Sequence, residues 1–416
     1  MIDLREQDLQ YQGWRVAGAS AVSLFFASAL VYTFAIFFKP LSVEFSWSRE
    51  TVATAYAVMA ITAAVSSPII GYILDRVPVR RVVTVSMATA GCGFASLALL
   101  TPSLWHFYGT FILLGIFGTS LSPIAYSRAI STWFHQCRGL ALGLVISGGA
   151  VAGVVHPPLA QALLDRVGWR GSYVVIGVAM LVIGCPLAAA FIREQTSILR
   201  KVTERNKEFS VSEGLRSRTF WTLIAVFFAS SIALNGAIVH LSALLTDRAV
   251  SESGAALAIS AMGGASLVGR LTTGWLLDRF FGARVAFILL SLAALGTYFI
   301  TTADSVVEGA IAAALIGFGM GGEMDVTPYL LSHYFGLRSF STLYGFAYGA
   351  SALAGAIGPI MLGRAFDTTG SYESLLPKLA GFMFVIALLM LTLPRYTLRT
   401  DIQNVSASAS DISPSV

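Results

Sequence analysis

Three charged side chains, Arg270, Glu323 and Asp325, lie inside long apolar runs of the chain. An ionisable group in such a setting is expensive, so each marks a binding site or an ion pathway. Arg270 stands about seven residues from the end of its run, roughly 10 Å deep at 1.5 Å per helical residue. Ser266 and Thr273, at i−4 and i+3, share its helical face and make a polar stripe. A guanidinium offers a planar, two-pronged donor to a carboxylate, which makes an organic acid the natural ligand; the competing reading is a structural ion pair. Glu323 and Asp325 sit at similar depth in another run. Two helical positions differ by about 200°, so the two acids face different neighbours. Asp325 is the one expected toward Arg270, because Tyr329, Ser332 and His333 continue its stripe, and Glu323 is expected to bond an adjoining helix. A carboxylate that alternates between a desolvated setting and an arginine can take up and release a proton.

The remaining polar groups are more ambiguous. Arg128 lies near Ser131 and Thr132 at the end of its run, where a snorkelling role and a substrate contact are equally open. Tyr126 and Asn235 are candidate hydrogen-bond partners for a substrate. His240 and His333 have no metal-ligand company, and Cys92, Cys137 and Cys185 have no CxxC spacing, so neither a metal site nor a disulfide framework is indicated. No cofactor is implied. Phosphate-loop and GxSxG patterns are lacking, which speaks against an ATP-driven pump and a membrane hydrolase.

The elements that must hold these groups are membrane spans. With 56% hydrophobic and 12% charged residues and a mean hydropathy of +0.75, the 416-residue chain does not describe a soluble domain. A spanning helix needs about 20 apolar residues. Such runs occur near 14–38, 51–74, 79–101, 105–130, 139–163 and 171–192, then near 220–245, 254–277, 284–303, 306–331, 340–364 and 375–394. The fold expected is therefore all-α and membrane-embedded, with six-helix bundles at 1–192 and 220–399. A basic linker at 193–219 joins them, and a Ser-rich, disordered tail follows at 400–416. Loop Lys and Arg residues, with Arg76, Arg80, Arg81, Arg138, Arg279, Arg284 and the linker on one side, put both termini in the cytoplasm of a plasma membrane or bacterial inner membrane. The basic residues form no single patch, so nucleic acid is not a partner. The bilayer is, and the chain is expected to work as a monomer.

The bundles repeat one another. Gly71, Asp75, Arg76, Arg80 and Arg81 between the second and third runs return as Gly274, Asp278, Arg279 and Arg284, and Pro157 with Asp165 returns as Pro359 with Asp367. An even number of spans per copy makes the repeats parallel. Asp75 is expected to latch a gate by accepting bonds only in one conformation, while the loop arginines also enforce topology. Glycines at small-xxx-small spacing, such as Gly345 with Gly349, allow close helix packing and smooth sliding faces.

The paired loop resembles the signature between spans two and three of the major facilitator superfamily, with Pro78 in place of the usual glycine and Gly282 one residue late in the second copy. Trp133 to Gly143, followed by Gly148-Gly149, resembles the span-five signature of monocarboxylate porters and the related oxalate:formate antiporters, and Phe45 to Arg49 is similar to theirs too. Ser120, Leu121 and Ser122 break the span-four pattern of the oxalate:formate group, and span eleven lacks a lysine, which argues against dicarboxylate exchange. The resemblance implies twelve spans, alternating access and an arginine at Arg270 that binds the substrate carboxylate. The transport reaction implied is proton-coupled movement of a small monocarboxylate. A porter for another solute, by way of an aromatic or sugar acid, dicarboxylate exchange or drug efflux, is the alternative.

Overall fold

The computed structural model describes residues 6, 8, 10–195 and 209–396. The Ser-rich tail lies outside the described residues. Among the described residues, ten helices are long and apolar enough to cross a membrane. One of these, Arg138–Phe191, is interrupted at Gly168, whose φ of 68° is a conformation that glycine tolerates without strain. Dividing it there, and adding the 19-residue helix Val79–Leu97 whose start carries Arg80 and Arg81, gives twelve spans.

In chain order these are α1 (Gln12–Glu44), α2 (Arg49–Leu74), α3 (Val79–Leu97), α4 (Leu104–Trp133), α5 (138–167), α6 (169–191), α7 (Arg218–Asp247), α8 (Glu252–Leu277), α9 (Gly282–Phe299), α10 (Val306–Phe335), α11 (Phe340–Thr369) and α12 (Tyr372–Thr392). They form two parallel six-helix repeats, α1–α6 and α7–α12. The connector expected at 193–219 includes a short helix, Val211–Arg216, closed by a capping box between Ser210 and Glu213. Equivalent helices start alike. Ser48 caps α2 by accepting from the Thr51 amide, and Ser251 caps α8 by accepting from the Gly254 amide. Two helices depart from a plain rod. α1 is irregular at Thr33, and α4 changes course between Ser120 and Pro123, where Ser122 accepts from the Ile124 amide.

The repeats meet along two backbone seams near the side that carries the Asp75 and Asp278 loops, called here the motif side. In the first, α2 crosses α11: a Cβ on Gly71 would strike the Ser341 carbonyl, and one on Gly345 the Ser67 carbonyl. In the second, α5 crosses α8, where Gly139 and Gly274 face each other's carbonyls with no room for a methyl group. Other glycines pack within one repeat, as Gly317 and Gly321 of α10 do against the α8 backbone at Met262 and Ser266. Among the described residues, cross-repeat hydrogen bonds run from the motif loops to the level of Ser67, which bonds the Gly345 carbonyl at 2.9 Å. The far ends of the helices contribute none.

Candidate functional site

Close approach of α10 to α8 brings Asp325 to Arg270. Gly269 lies against the Phe318 backbone and Gly321 against Ser266, so the two helices touch main chain to main chain one turn from the charges. The guanidinium Nη1 stands 3.6 Å from Asp325 Oδ1, an ion pair too long for a hydrogen bond. Both residues are buried, at 5% and 0% exposure. Yet Arg270 Nε and Nη1, both Asp325 oxygens and the hydroxyl of neighbouring Thr273 have no hydrogen-bond partner. Buried donors and acceptors are normally satisfied, so such a cluster marks a place that something else completes. A Cβ on Gly143 would sit 3.1 Å from the Arg270 carbonyl and 3.7 Å from Asp325 Oδ2, so the pair looks onto α5 of the opposite repeat.

Glu323 points elsewhere: it accepts from Ser231 of α7 at 3.1 Å. The acids thus divide between α8 and α7, as two-residue spacing requires. The other expected substrate ligands are not brought to Arg270. Tyr126 is fully buried and shares a 2.9 Å hydrogen bond with Ser23 inside the first repeat. Asn235 donates to the Ser231 carbonyl of its own helix and packs by Gly355. His240 is held by Tyr372 and the Pro359 carbonyl, and His333 by the Tyr329 carbonyl.

Arg128, read as open between snorkelling and a substrate contact, stands at the seam between the repeats. Its Nη1 lies 2.5 Å from Asp75 Oδ1 and 3.1 Å from the Leu337 carbonyl of the second repeat, and its Nε bonds Glu194 at 2.8 Å. Asp75 also accepts from the Ser341 and Thr342 amides at 3.0 and 2.9 Å and from the Thr342 hydroxyl, so it caps the start of α11. Asp278 does the same for α5, accepting from the Gly139 and Leu140 amides at 2.6 and 3.0 Å. Each latch therefore ties the loop after one repeat's second helix to the start of the other's fifth. Burial raises the Asp75 carboxyl against the pull of Arg128 and the α11 donors, and pushes Asp278 up to about 7 against its two amides, Arg138 and Arg279. Arg76, Arg80, Arg81, Arg279 and Arg284, expected in the gate, are exposed and, among the described residues, make no hydrogen bond across either seam. The latch is made by aspartates, amides and glycines together with the buried Arg128 and Arg138, not by the loop arginines.

Sequence reasoning missed two residues of this seam. Arg138, read only as a topology charge, is buried and donates to Ser332 of the second repeat at 3.0 Å. Glu194, in the charged stretch after α6, takes Arg128 and the Val79 amide together.

A profile of the Major Facilitator Superfamily matches residues 20–359. The chain belongs to that superfamily. It is a multi-pass membrane transporter and not an enzyme. It is 26% identical over 331 residues to the MFS-type transporter YhjX of Escherichia coli (strain K12), covering 78% of this chain and 81% of the relative. It is 25% identical over 393 residues to monocarboxylate transporter 13 of Rattus norvegicus, covering 92% and 89%. Among solved structures, the Escherichia coli fucose:proton symporter FucP superposes with a TM-score of 0.68 at 14% identity, over 91% of this chain and 98% of that one. The human organic anion transporter MFSD10 gives 0.71 at 13%, over 91% and 99%.

Proposed function

We propose that this transporter moves a small organic anion, a monocarboxylate accompanied by a proton, by alternating access between its two repeats. The motif side is the cytoplasmic one, since the basic loops gather there, and the conformation described is the one closed to the cytoplasm. The observation that carries the reading is the unsatisfied Arg270–Asp325 pair. Arg270 keeps N–H donors free for a carboxylate. Asp325 supplies an acid that is relieved of its cation when the substrate takes Arg270, and is then ready to accept a proton. The position of the pair on the face toward Gly143 means that filling it bears on the α5–α8 contact. Relatives named as monocarboxylate transporters agree with this chemistry.

The test is counterflow in proteoliposomes with a panel of carboxylates and neutral solutes. Exchange of one or more monocarboxylates by the wild type and its loss in Arg270→Lys, which keeps the charge but not the fork, is the expected result. Exchange confined to neutral solutes, or full activity in Arg270→Ala, would refute the reading.

A further inference from the structure

The loop arginines that the latch does not use share a second arrangement in both repeats. Arg76 lies over the ring of Tyr72, its guanidinium carbon 3.3 Å from the centroid, and donates to the Tyr72 carbonyl at 3.3 Å. Arg279 lies over the ring of Trp275 at 4.1 Å and donates to the Trp275 carbonyl at 3.4 Å. Each aromatic ring precedes its arginine by four residues and is half exposed, at 48% for Tyr72 and 45% for Trp275. Each also ends an exposed apolar face: Ile61, Val65, Ile69 and Tyr72 on α2, and Leu257, Val268, Leu271 and Trp275 on α8. The repeats are joined along their seams on this side, so those faces look outward to the hydrocarbon. The rings then lie where aromatic side chains meet the headgroups.

Among the described residues, neither arginine has a carboxylate within ion-pair distance. The exposed Arg170 and the half-buried Arg248 of the opposite side do: Arg170 pairs with Glu44, and Arg248 with Asp304 and Glu373. A guanidinium pinned flat on a ring keeps its edge free, and that edge matches the oxygens of a phosphate. Arg80 and Arg284, exposed near the start of the next helix in each repeat, add charge of the same sign.

We propose that each motif loop holds the phosphate of one anionic phospholipid, at Tyr72–Arg76 and at Trp275–Arg279, with the acyl chains along the exposed faces of α2 and α8. The occupant is a lipid rather than a free anion because cation and apolar face are contiguous. The two sites are equivalent by the repeat and lie one residue from Asp75 and Asp278.

Native mass spectrometry of the full chain in detergent, titrated with phosphatidylglycerol or phosphatidylcholine, tests this. Two phosphatidylglycerol molecules are expected to bind ahead of any phosphatidylcholine. Arg76→Ala or Arg279→Ala should weaken one binding event about fivefold, and the double variant both. Arg76→Lys should retain part of the affinity, and Arg170→Ala all of it. Equal retention of the two lipids, wild-type binding by the double variant, or displacement of the lipid by inorganic phosphate would each overturn the proposal. Melting temperatures of the variants show whether a loss reflects unfolding instead, in which case the Lys variants decide.

Discussion

The two repeats build the same inter-repeat seam with different chemistry. In the first, Arg128 on the fourth helix holds Asp75, and Glu194 beyond the sixth helix accepts both Arg128 and the Val79 amide at the start of α3. In the second, Tyr329 on the fourth helix of that repeat, α10, donates to the Leu277 carbonyl at 2.6 Å. Tyr396 beyond α12 accepts from the Gly282 amide at the start of α9 at 2.9 Å. The positions and the amides served correspond, but a buried ion network stands on one side and phenols on the other. Hydrogen-bond geometry is thus what the shared fold preserves, while charge is free to vary. The second repeat instead carries a buried pair away from the latch, Arg270 and Asp325, where the first has no counterpart among the described residues.

This contrast predicts unequal responses to mutation. The largest effect should come from Arg128→Ala, which leaves Asp75 and Glu194 buried without a cation. A loss of about 3–5 kcal/mol is expected, read as a fall in the melting temperature, with little change if the network is dispensable. Next is Gly139→Ala, whose methyl group meets the Gly274 carbonyl and should open the α5–α8 seam at a cost of about 1–3 kcal/mol. Cys137 reports it: beside Asp278, burial pushes its thiol up to about 11. Alkylation of Cys137 in a background lacking Cys92 and Cys185 should therefore be slow in the wild type and faster in Gly139→Ala. Equal rates would show that the seam tolerates the methyl group.

A third effect depends on pH. Asp278 holds its proton more tightly in the latched state, at about 7, than a solvated aspartate does. By linkage the latched state gains as pH falls through about 7, and that gain is lost as pH rises again, by at most about tenfold per unit. Cys137 alkylation, corrected for thiolate fraction, should slow as pH falls, and Asp278→Asn should abolish the trend. The smallest effect is Tyr396→Phe, which strips one hydrogen bond from the Gly282 amide and should cost about 1 kcal/mol in thermal unfolding. A loss as large as that of Arg128→Ala would dissolve the distinction between the networks.

Much of this architecture was legible because it follows from local pattern. Apolar runs, the doubled Gly71–Arg81 loop and the basic side each obey a rule that acts within one helix or loop. The division of Glu323 from Asp325 was legible for the same reason, since helical periodicity alone separates them. What escaped depends on how two repeats are placed against each other. Arg128 reads as a snorkelling or ligand-binding cation until Leu337 and Glu194 are seen around it, more than sixty residues away in sequence. Tyr126 and Asn235 read as substrate partners because a polar group in an apolar run carries no sign of the neighbour, Ser23 or its own helix, to which it bonds.

The central claim is that Arg270 and Asp325 couple a carboxylate to a proton. Its most direct test is uptake of a labelled monocarboxylate into proteoliposomes with and without an imposed pH gradient, comparing wild type with Asp325→Asn. The account predicts gradient-driven accumulation by the wild type, and exchange without gradient-driven accumulation by the variant. Accumulation by Asp325→Asn that follows the gradient as the wild type does would contradict it.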